Sequence, residues 1–179
     1  IVFPRNQYNQ AHLEICSEMG LRAFRGNPQS WLYRPRAGAD EKFWIRAARL
    51  LDSYCNLSSH NCYPLPETSD GVPVNLPASR FLRPYRPDRP MVLQERRVKN
   101  DLTYAARHGV AYHLWWHPHN FGVNLEKNMG MLRRVLEHFQ GLREAYGMQS
   151  RNMAESTLNH SELQDHGVSE EDRFARQRR

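Results

Sequence analysis

The apolar residues of this chain recur at helical spacing in four stretches that are separated by polar turns. The longest repeat runs from Asn124 to Gly147, in steps of three and four residues. Weaker repeats cover residues 9–19, 40–54 and 94–108. Each stretch predicts an amphipathic helix that turns one face to the core.

Residues at the helix ends support these boundaries. Asn9 and Asp40 are suitable N-caps, because their side-chain oxygens accept hydrogen bonds from free backbone N–H groups. Gly20, Gly109 and Gly147 each follow a repeat, at the place where a left-handed residue ends a helix. In the second helix, the stripe predicted to face the core consists of Phe43, Ala47, Leu50, Leu51 and Tyr54.

Short apolar runs between these helices predict strands. Residues 1–3 look like the end of a strand, residues 21–24 like a second one and residues 110–116 like a third. Strand, helix and strand in succession are typical of a parallel sheet, so the predicted fold class is α/β with parallel strands. On the third strand, alternation places His113, Trp115 and His117 on one face and Tyr112, Leu114 and Trp116 on the other.

Prolines interrupt any regular pattern between Asn56 and Pro90. We expect residues 56–95 to form a long ordered loop insertion that covers the core or, as the alternative, contributes to a substrate cleft. Farther along, the chain is polar and charged, which predicts a disordered tail over residues 156–179. One folded domain is therefore expected over residues 1–155.

Charge and cysteine content narrow the class of protein. The net charge is +6 and the pI is near 9.5, but the arginines are scattered, so a nucleic-acid groove is possible without being indicated. Three cysteines do not form a disulfide framework, which favours a reducing compartment, and we expect a cytoplasmic protein. Cys55, His60 and Cys62 are spaced like half of a zinc knuckle, but no second pair completes four ligands.

The sequence predicts no membrane span, because no apolar run reaches about 18 residues. It starts at Ile1 without an initiator methionine and opens within a predicted strand. We therefore expect a fragment, with any signal peptide upstream of Ile1.

Candidate chemistry is concentrated at the end of the third strand, in residues 110–122, VAYHLWWHPHNFG. Loops that follow parallel strands are the usual position of sites in α/β proteins. Three roles are open to His117 and His119. They are structural hydrogen bonding, with Asn120 holding the turn, general acid–base catalysis, and metal binding.

Two motifs together give the chain a resemblance to a known family. Residues 3–7, FPRNQ, precede the first helix, and residues 113–122, HLWWHPHNFG, precede the longest one. In this order, and with the strand that ends in residues 24–26, they resemble the C-terminal half of a polysaccharide deacetylase domain. The resemblance covers residues 1–155 and is loose over residues 56–95.

The resemblance implies part of an irregular, incompletely closed (β/α) barrel that lacks its N-terminal strands. It also implies a hydrolase acting on carbon–nitrogen bonds other than peptide bonds, which removes acetyl groups from N-acetylated, or sometimes O-acetylated, sugars. In that family an aspartate base activates a water bound to a divalent metal, usually zinc, and a histidine protonates the leaving amine.

By motif position, His117 is the expected proton donor and Arg5 the arginine that orients the base. Trp115 takes the place of the apolar residue that lines the acetate pocket. Three neighbours are also expected to bind substrate: Trp116, His119 and Asn120. The base and the metal ligands are expected upstream of Ile1, so no metal ligand is assigned here. The isolated chain is expected neither to bind zinc tightly nor to deacetylate.

Two other functions stay open. A deacetylase-like domain without a complete site would act as a carbohydrate-binding or interaction scaffold. A basic surface that includes Trp31, Tyr33, Arg34 and Arg36 would instead bind nucleic acid or another polyanion.

Overall fold

The computed structural model describes residues 1–33, 43–66 and 72–158. The α-helices in these ranges are α1 Gln10–Glu18, α2 Phe43–Asp52, α3 Met91–His108, α4 Pro118–Phe121 and α5 Leu125–Tyr146. The strands are β1 Ala23–Phe24, β2 Val74–Asn75, β3 Arg80–Phe81 and β4 Leu114–Trp115. Short 3-10 turns occupy Pro4–Asn6, Trp31–Tyr33, Gly122–Asn124 and Glu155–Thr157. The predicted cap Asp40 and residues 159–179 of the predicted tail lie outside the described residues.

The strands pair in parallel, β1 with β2 and β3 with β4. Residues 74–82 form one extended segment that takes part in both pairs. The N–H groups of its first half donate to carbonyls of residues 22–26, and those of its second half donate to carbonyls of residues 113–115. On the other side of β1, the Ile1 ammonium donates to the carbonyl of Ala23, and the Ile1 carbonyl accepts from the N–H of Arg25. This is the parallel pattern again. Helices therefore alternate with parallel strands, and membership of an open (β/α) barrel stays a prediction.

Two of these strands, β2 and β3, lie inside the stretch that was predicted to be a long loop. They were not predicted, because the prolines of this stretch interrupt the usual strand pattern. The N–H groups that bond to β1 belong to Val74, Leu76 and Ala78, whereas Pro73 and Pro77 stand at the alternate positions, whose backbone nitrogens point away from β1. Proline at those positions removes no hydrogen bond to β1, so the strand tolerates it.

A β-bulge at Ser79 and Arg80 divides the segment 74–82. The N–H groups of both residues donate to the carbonyl of His113, at 2.9 and 3.3 Å. Such a bulge shifts the alternation of side chains by one residue. Arg80 consequently points to α2 and α3, where it contacts a carboxylate of each helix, and Phe81 points to the opposite side of the strands.

The helix ends follow the predicted caps. Asn9 Oδ1 accepts from the N–H of His12 at 3.0 Å, and His12 Nδ1 accepts from the N–H of Asn9 at 3.3 Å, which is a reciprocal capping pair. Gly20, Gly109 and Gly147 have φ of 71°, 62° and 69°, so the three predicted left-handed ends are confirmed.

The predicted buried face of α2, which Trp44 and Ile45 were expected to widen, is only partly right. Phe43 is 85% exposed and Leu51 is 55% exposed, whereas Ile45 and Asp52 are buried, and Ala47, Leu50 and Tyr54 are half-buried. The predicted stripe counted only apolar residues. It therefore missed that the Asp52 carboxylate turns inward to meet Arg80.

The larger apolar core lies between α3, α5 and the helix side of β4. Tyr112, Leu114 and Trp116 pack against this core, which confirms the predicted division of the strand into two faces. The buried members are Leu82, Met91, Val98, Leu102, Phe121, Met131, Val135 and Leu142.

A buried ionic network lies beside this core. Asp101 on α3 accepts hydrogen bonds from Arg80 Nε at 2.6 Å and from Arg97 Nη1. Asp52 on α2 accepts from Arg80 Nη1 at 3.2 Å and from Ser58 Oγ at 2.7 Å. Two carboxylates thus balance two guanidinium groups. Pairing of this kind is the condition under which charges can be buried.

Replacement of Asp101 by alanine should destabilise the fold by about 3–5 kcal/mol, because it leaves the buried guanidinium group of Arg97 without a carboxylate and that of Arg80 with only the carboxylate of Asp52. Urea unfolding followed by circular dichroism measures the change. Asp88→Ala is the matched control, since Asp88 pairs with Arg86 on the exposed surface, and it should leave the unfolding midpoint unchanged. Equal midpoints for the two variants would show that the network does not stabilise the fold.

Candidate functional site

The side of the strands that faces away from α2 and α3 carries a cluster of aromatic rings. The Phe81 and Trp115 ring centroids are 4.5 Å apart across the β3–β4 pair. His117 follows β4 and meets both rings, at 5.3 Å from Trp115 with the planes at 90°, and at 5.6 Å from Phe81. We call Phe81, Trp115 and His117 the strand-edge cluster. It lies where parallel strands end, the usual position of sites in such folds.

Arg25, the residue after β1, joins this cluster. Its guanidinium carbon lies 4.1 Å from the centre of the Trp115 ring, a cation–π contact. Its Nε donates to Asn6 Oδ1 at 3.4 Å, and Asn6 Nδ2 donates to Asn27 Oδ1 at 3.1 Å. Asn6 adopts φ of 52°, in the left-handed region that asparagine tolerates better than most residues. Both motifs from the sequence thus meet at one edge.

His117 and His119 stack on each other, with ring centroids 5.3 Å apart and planes at 30°. Both are exposed. The backbone fixes this turn, because Pro118 is the first residue of α4 and the N–H of Asn120 donates to the His117 carbonyl at 3.0 Å. An exposed imidazole held at a strand end is placed to contact a bound substrate and exchange a proton with it.

His113 lies on the same strand face but in a different environment. Its Nδ1 is 3.3 Å from the carbonyl oxygen of Leu76, so the ring donates there. Burial lowers the pKa of His113, and the nearby charge of Arg25 lowers it further, against the opposing effect of the hydrogen bond to Leu76. His113 is consequently a neutral, structural histidine at pH 7.

Trp116 points to the helix side. Its ring stacks on Phe121, at 6.1 Å between centroids and 18° between planes, and packs against the larger core. Packing against Phe121 and the core is enough to explain why Trp116 is partly buried, and no substrate contact is needed for that. Arg5 lies in the 3-10 turn Pro4–Asn6, and its side chain is outside the described part of the structure. The substrate contact of Trp116 and the orienting role of Arg5 stay predictions.

The described residues do not by themselves fit a metal ion. Among residues 1–33, 43–66 and 72–158, no three His, Cys, Asp or Glu side chains come together as a possible ligand set. His60 Nδ1 contacts Asp101 Oδ1 at 2.8 Å, and the Cys62 thiol points to the backbone carbonyls of His60 and Asp101. Burial and the charge of Asp101 raise the pKa of Cys62 to about 12, which disfavours the thiolate that zinc requires. His60 and Cys62 therefore belong to the ionic network, whereas Cys55 is exposed.

Two residues at this strand edge, Arg25 and Phe81, were not predicted from the sequence to be site residues. Arg25 follows an apolar run directly, so its position after a strand was the available indication. Phe81 was hidden because its strand lies among prolines.

Comparison of the chain with protein-family models, with curated proteins and with solved structures finds no match. Within the described residues, no helix is long and apolar enough to cross a lipid bilayer.

His113 should titrate at a pH below 6.5, which is checked by following its ring protons by NMR. Between the folded pKa and the unfolded value of about 6.5, only the unfolded chain holds the proton. The free energy of unfolding should therefore fall as pH decreases through this interval. His113→Gln, which does not titrate, should remove that part of the pH dependence, and a His113 ring that titrates above 6.5 would contradict the assignment.

Proposed function

We propose that this chain forms the proton-donor side of a site that hydrolytically deacetylates an N- or O-acetylated sugar or polysaccharide. The observation that carries the proposal is the contact chain from Asn6 through Arg25 to Trp115 and His117. It brings to one strand edge the two separate motifs on which the family resemblance depends.

In this proposal His117 protonates the leaving amine or alkoxide as the bond to the acetyl carbon breaks. The exposure of His117 gives it access to substrate, and its edge-on contact with Trp115 holds the ring in one orientation. Trp115 and Phe81 supply the apolar wall beside the acetyl methyl group. His119 and Asn120 follow in the same turn and stay predicted substrate contacts.

The remaining parts of such a site are proposed to lie outside the described residues. A divalent metal, with zinc as the first candidate, and a carboxylate base are required by this reaction. The described residues supply no ligand set of three. Arg5 is proposed to orient the base.

A second candidate is a scaffold that binds acetylated sugar without hydrolysing it. The exposed, stacked rings of His117 and His119 favour it, since ring surfaces at a strand edge bind sugars without any proton transfer. The nucleic-acid alternative is not tested, because Arg34 and Arg36 lie outside the described residues.

Replacement of His117 by glutamine in the full-length protein separates these candidates. We expect acetate release from N-acetylglucosamine oligomers to fall about 10²- to 10⁴-fold, the usual contribution of a positioned general acid. Binding of the same oligomers, measured by calorimetry, should be retained. His108→Gln is the matched control, because His108 is an exposed histidine at the end of α3 and should leave the rate unchanged.

An unchanged rate for His117→Gln would remove the proton-donor assignment. Loss of oligomer binding together with the rate would instead assign His117 to substrate binding. Sugar binding by a wild-type protein that releases no acetate would favour the scaffold.

A further inference from the structure

Several arginines in the described part of this chain contact carboxylates, and Arg83, which is half-buried, contacts the Ser53 hydroxyl and lies over the Phe81 ring. Arg80 and Arg97 are buried and each contacts a carboxylate. Arg86, Arg89 and Arg134 pair with carboxylates at the surface. Arg25 is half-buried, and its guanidinium contacts are an amide oxygen and an aromatic ring, with no carboxylate among the described residues.

A partly desolvated cation without a counter-ion is unfavourable in a folded protein. Burial lowers the pKa of Arg25 from its ordinary value, in keeping with that desolvation. The buried carboxylates among the described residues, Asp52 and Asp101, are both engaged on the helix side. The cation–π contact with Trp115 offsets part of the cost, and no carboxylate among the described residues balances the charge of Arg25.

The orientation of Arg25 leaves two hydrogen-bond donors available to a ligand. Asn6 Oδ1 accepts from Nε, and the terminal nitrogens Nη1 and Nη2 have no hydrogen-bond partner among the described residues. These two nitrogens form the planar fork that binds an oxyanion through two parallel hydrogen bonds. Trp115 and Asn6 hold the fork in position before any ligand arrives.

We propose that Arg25 is the specificity-determining residue of this strand edge and binds an acidic group of the substrate. The inference rests on the proposed function and narrows it. The acetylated sugar carries a carboxylate or a sulfate, and the fork of Arg25 binds that group while the acetyl group lies beside Trp115 and His117. One indole contacts both Arg25 and His117, so the acidic group and the reacting group belong to the same or to adjoining sugar units.

Nucleic acid phosphate would offer the same charge but fits this edge less well. Nucleobases bind single-strand sites by stacking on open aromatic faces. Here the guanidinium of Arg25 lies over one face of the Trp115 ring, and Phe81 and His117 also contact this ring, so less of it is open for stacking. A sugar acid would bind to the guanidinium fork of Arg25 and would contact only the edge of the Trp115 ring.

The test is equilibrium binding to the full-length protein, measured by calorimetry. The probes are three tetrasaccharides and one oligonucleotide: a neutral N-acetylglucosamine tetramer, the same tetramer carrying sulfate, a tetramer alternating N-acetylglucosamine with glucuronic acid, and an oligothymidylate. We expect at least one acidic sugar to bind about 10- to 100-fold more tightly than the neutral tetramer, as charge-assisted hydrogen bonds predict. The tighter of the two acidic sugars identifies the acid.

Arg25→Gln should remove this preference and leave binding of the neutral tetramer unchanged. Arg25→Lys keeps the charge but loses the fork, so it should retain only part of the preference, and it also serves if Arg25→Gln fails to fold. Arg22→Gln is the matched control, because Arg22 is an exposed arginine three positions earlier and its loss changes the net charge equally. It should bind every probe as the wild type does.

Three results would overturn the proposal. They are equal binding of neutral and acidic sugars by the wild type, an equal loss for all sugars in Arg25→Gln, and tighter binding of the oligonucleotide than of any sugar. Binding is measured without turnover. The outcome is therefore independent of whether His117→Gln abolishes acetate release.

Discussion

The guanidinium of Arg80 is the constraint on which this structure depends. It extends from β3 to the carboxylate of Asp101 on α3 and to both the carboxylate and the backbone carbonyl of Asp52 on α2. A buried cation must have its donors satisfied, so the two helices can approach the strand only in an arrangement that presents these oxygens. The bulge at Ser79 and Arg80 is part of the same arrangement, because it turns Arg80 to the helices and Phe81 away from them.

This division separates two kinds of electrostatic environment on the two sides of a very small sheet. On the helix side, charges are buried and matched in number. On the other side, the strand edge combines aromatic rings with the cation of Arg25, which contacts no carboxylate among the described residues. Two histidines on this side differ in environment: burial and the nearby charge of Arg25 keep His113 neutral, whereas His117 lies at the open edge.

Much of the helical framework could be predicted from the sequence, because helix signals are local. Gly109 and Gly147 ended the helices where their backbone freedom predicted, and the alternation on β4 assigned Trp115 and Trp116 to opposite sides. What depends on distant residues could not be predicted. The inward turn of Asp52 has its cause in Arg80, a residue of another element.

The candidate site shows the same limit. The turn that contains His117 and His119 was identified from its composition, since proline and glycine after an apolar run are visible in the sequence. The contribution of Arg25 could not be predicted, because it depends on how β1 and β4 both pair with residues 74–82. No local sequence pattern indicates that pairing. The strand character of that segment was itself masked by Pro73 and Pro77.

The double pairing of residues 74–82 also has a consequence for the order of folding. The segment bonds to residues 22–26 that lie far before it in the chain and to residues 113–115 that lie far after it. Closing two long loops costs entropy before either set of hydrogen bonds forms. The helices, whose contacts are local, can form early, whereas both parallel pairs must wait for this central segment to arrive. A chain that is still being synthesised therefore cannot complete its strand edge until His117 is available, so the site forms only after most of the chain that precedes it has been made.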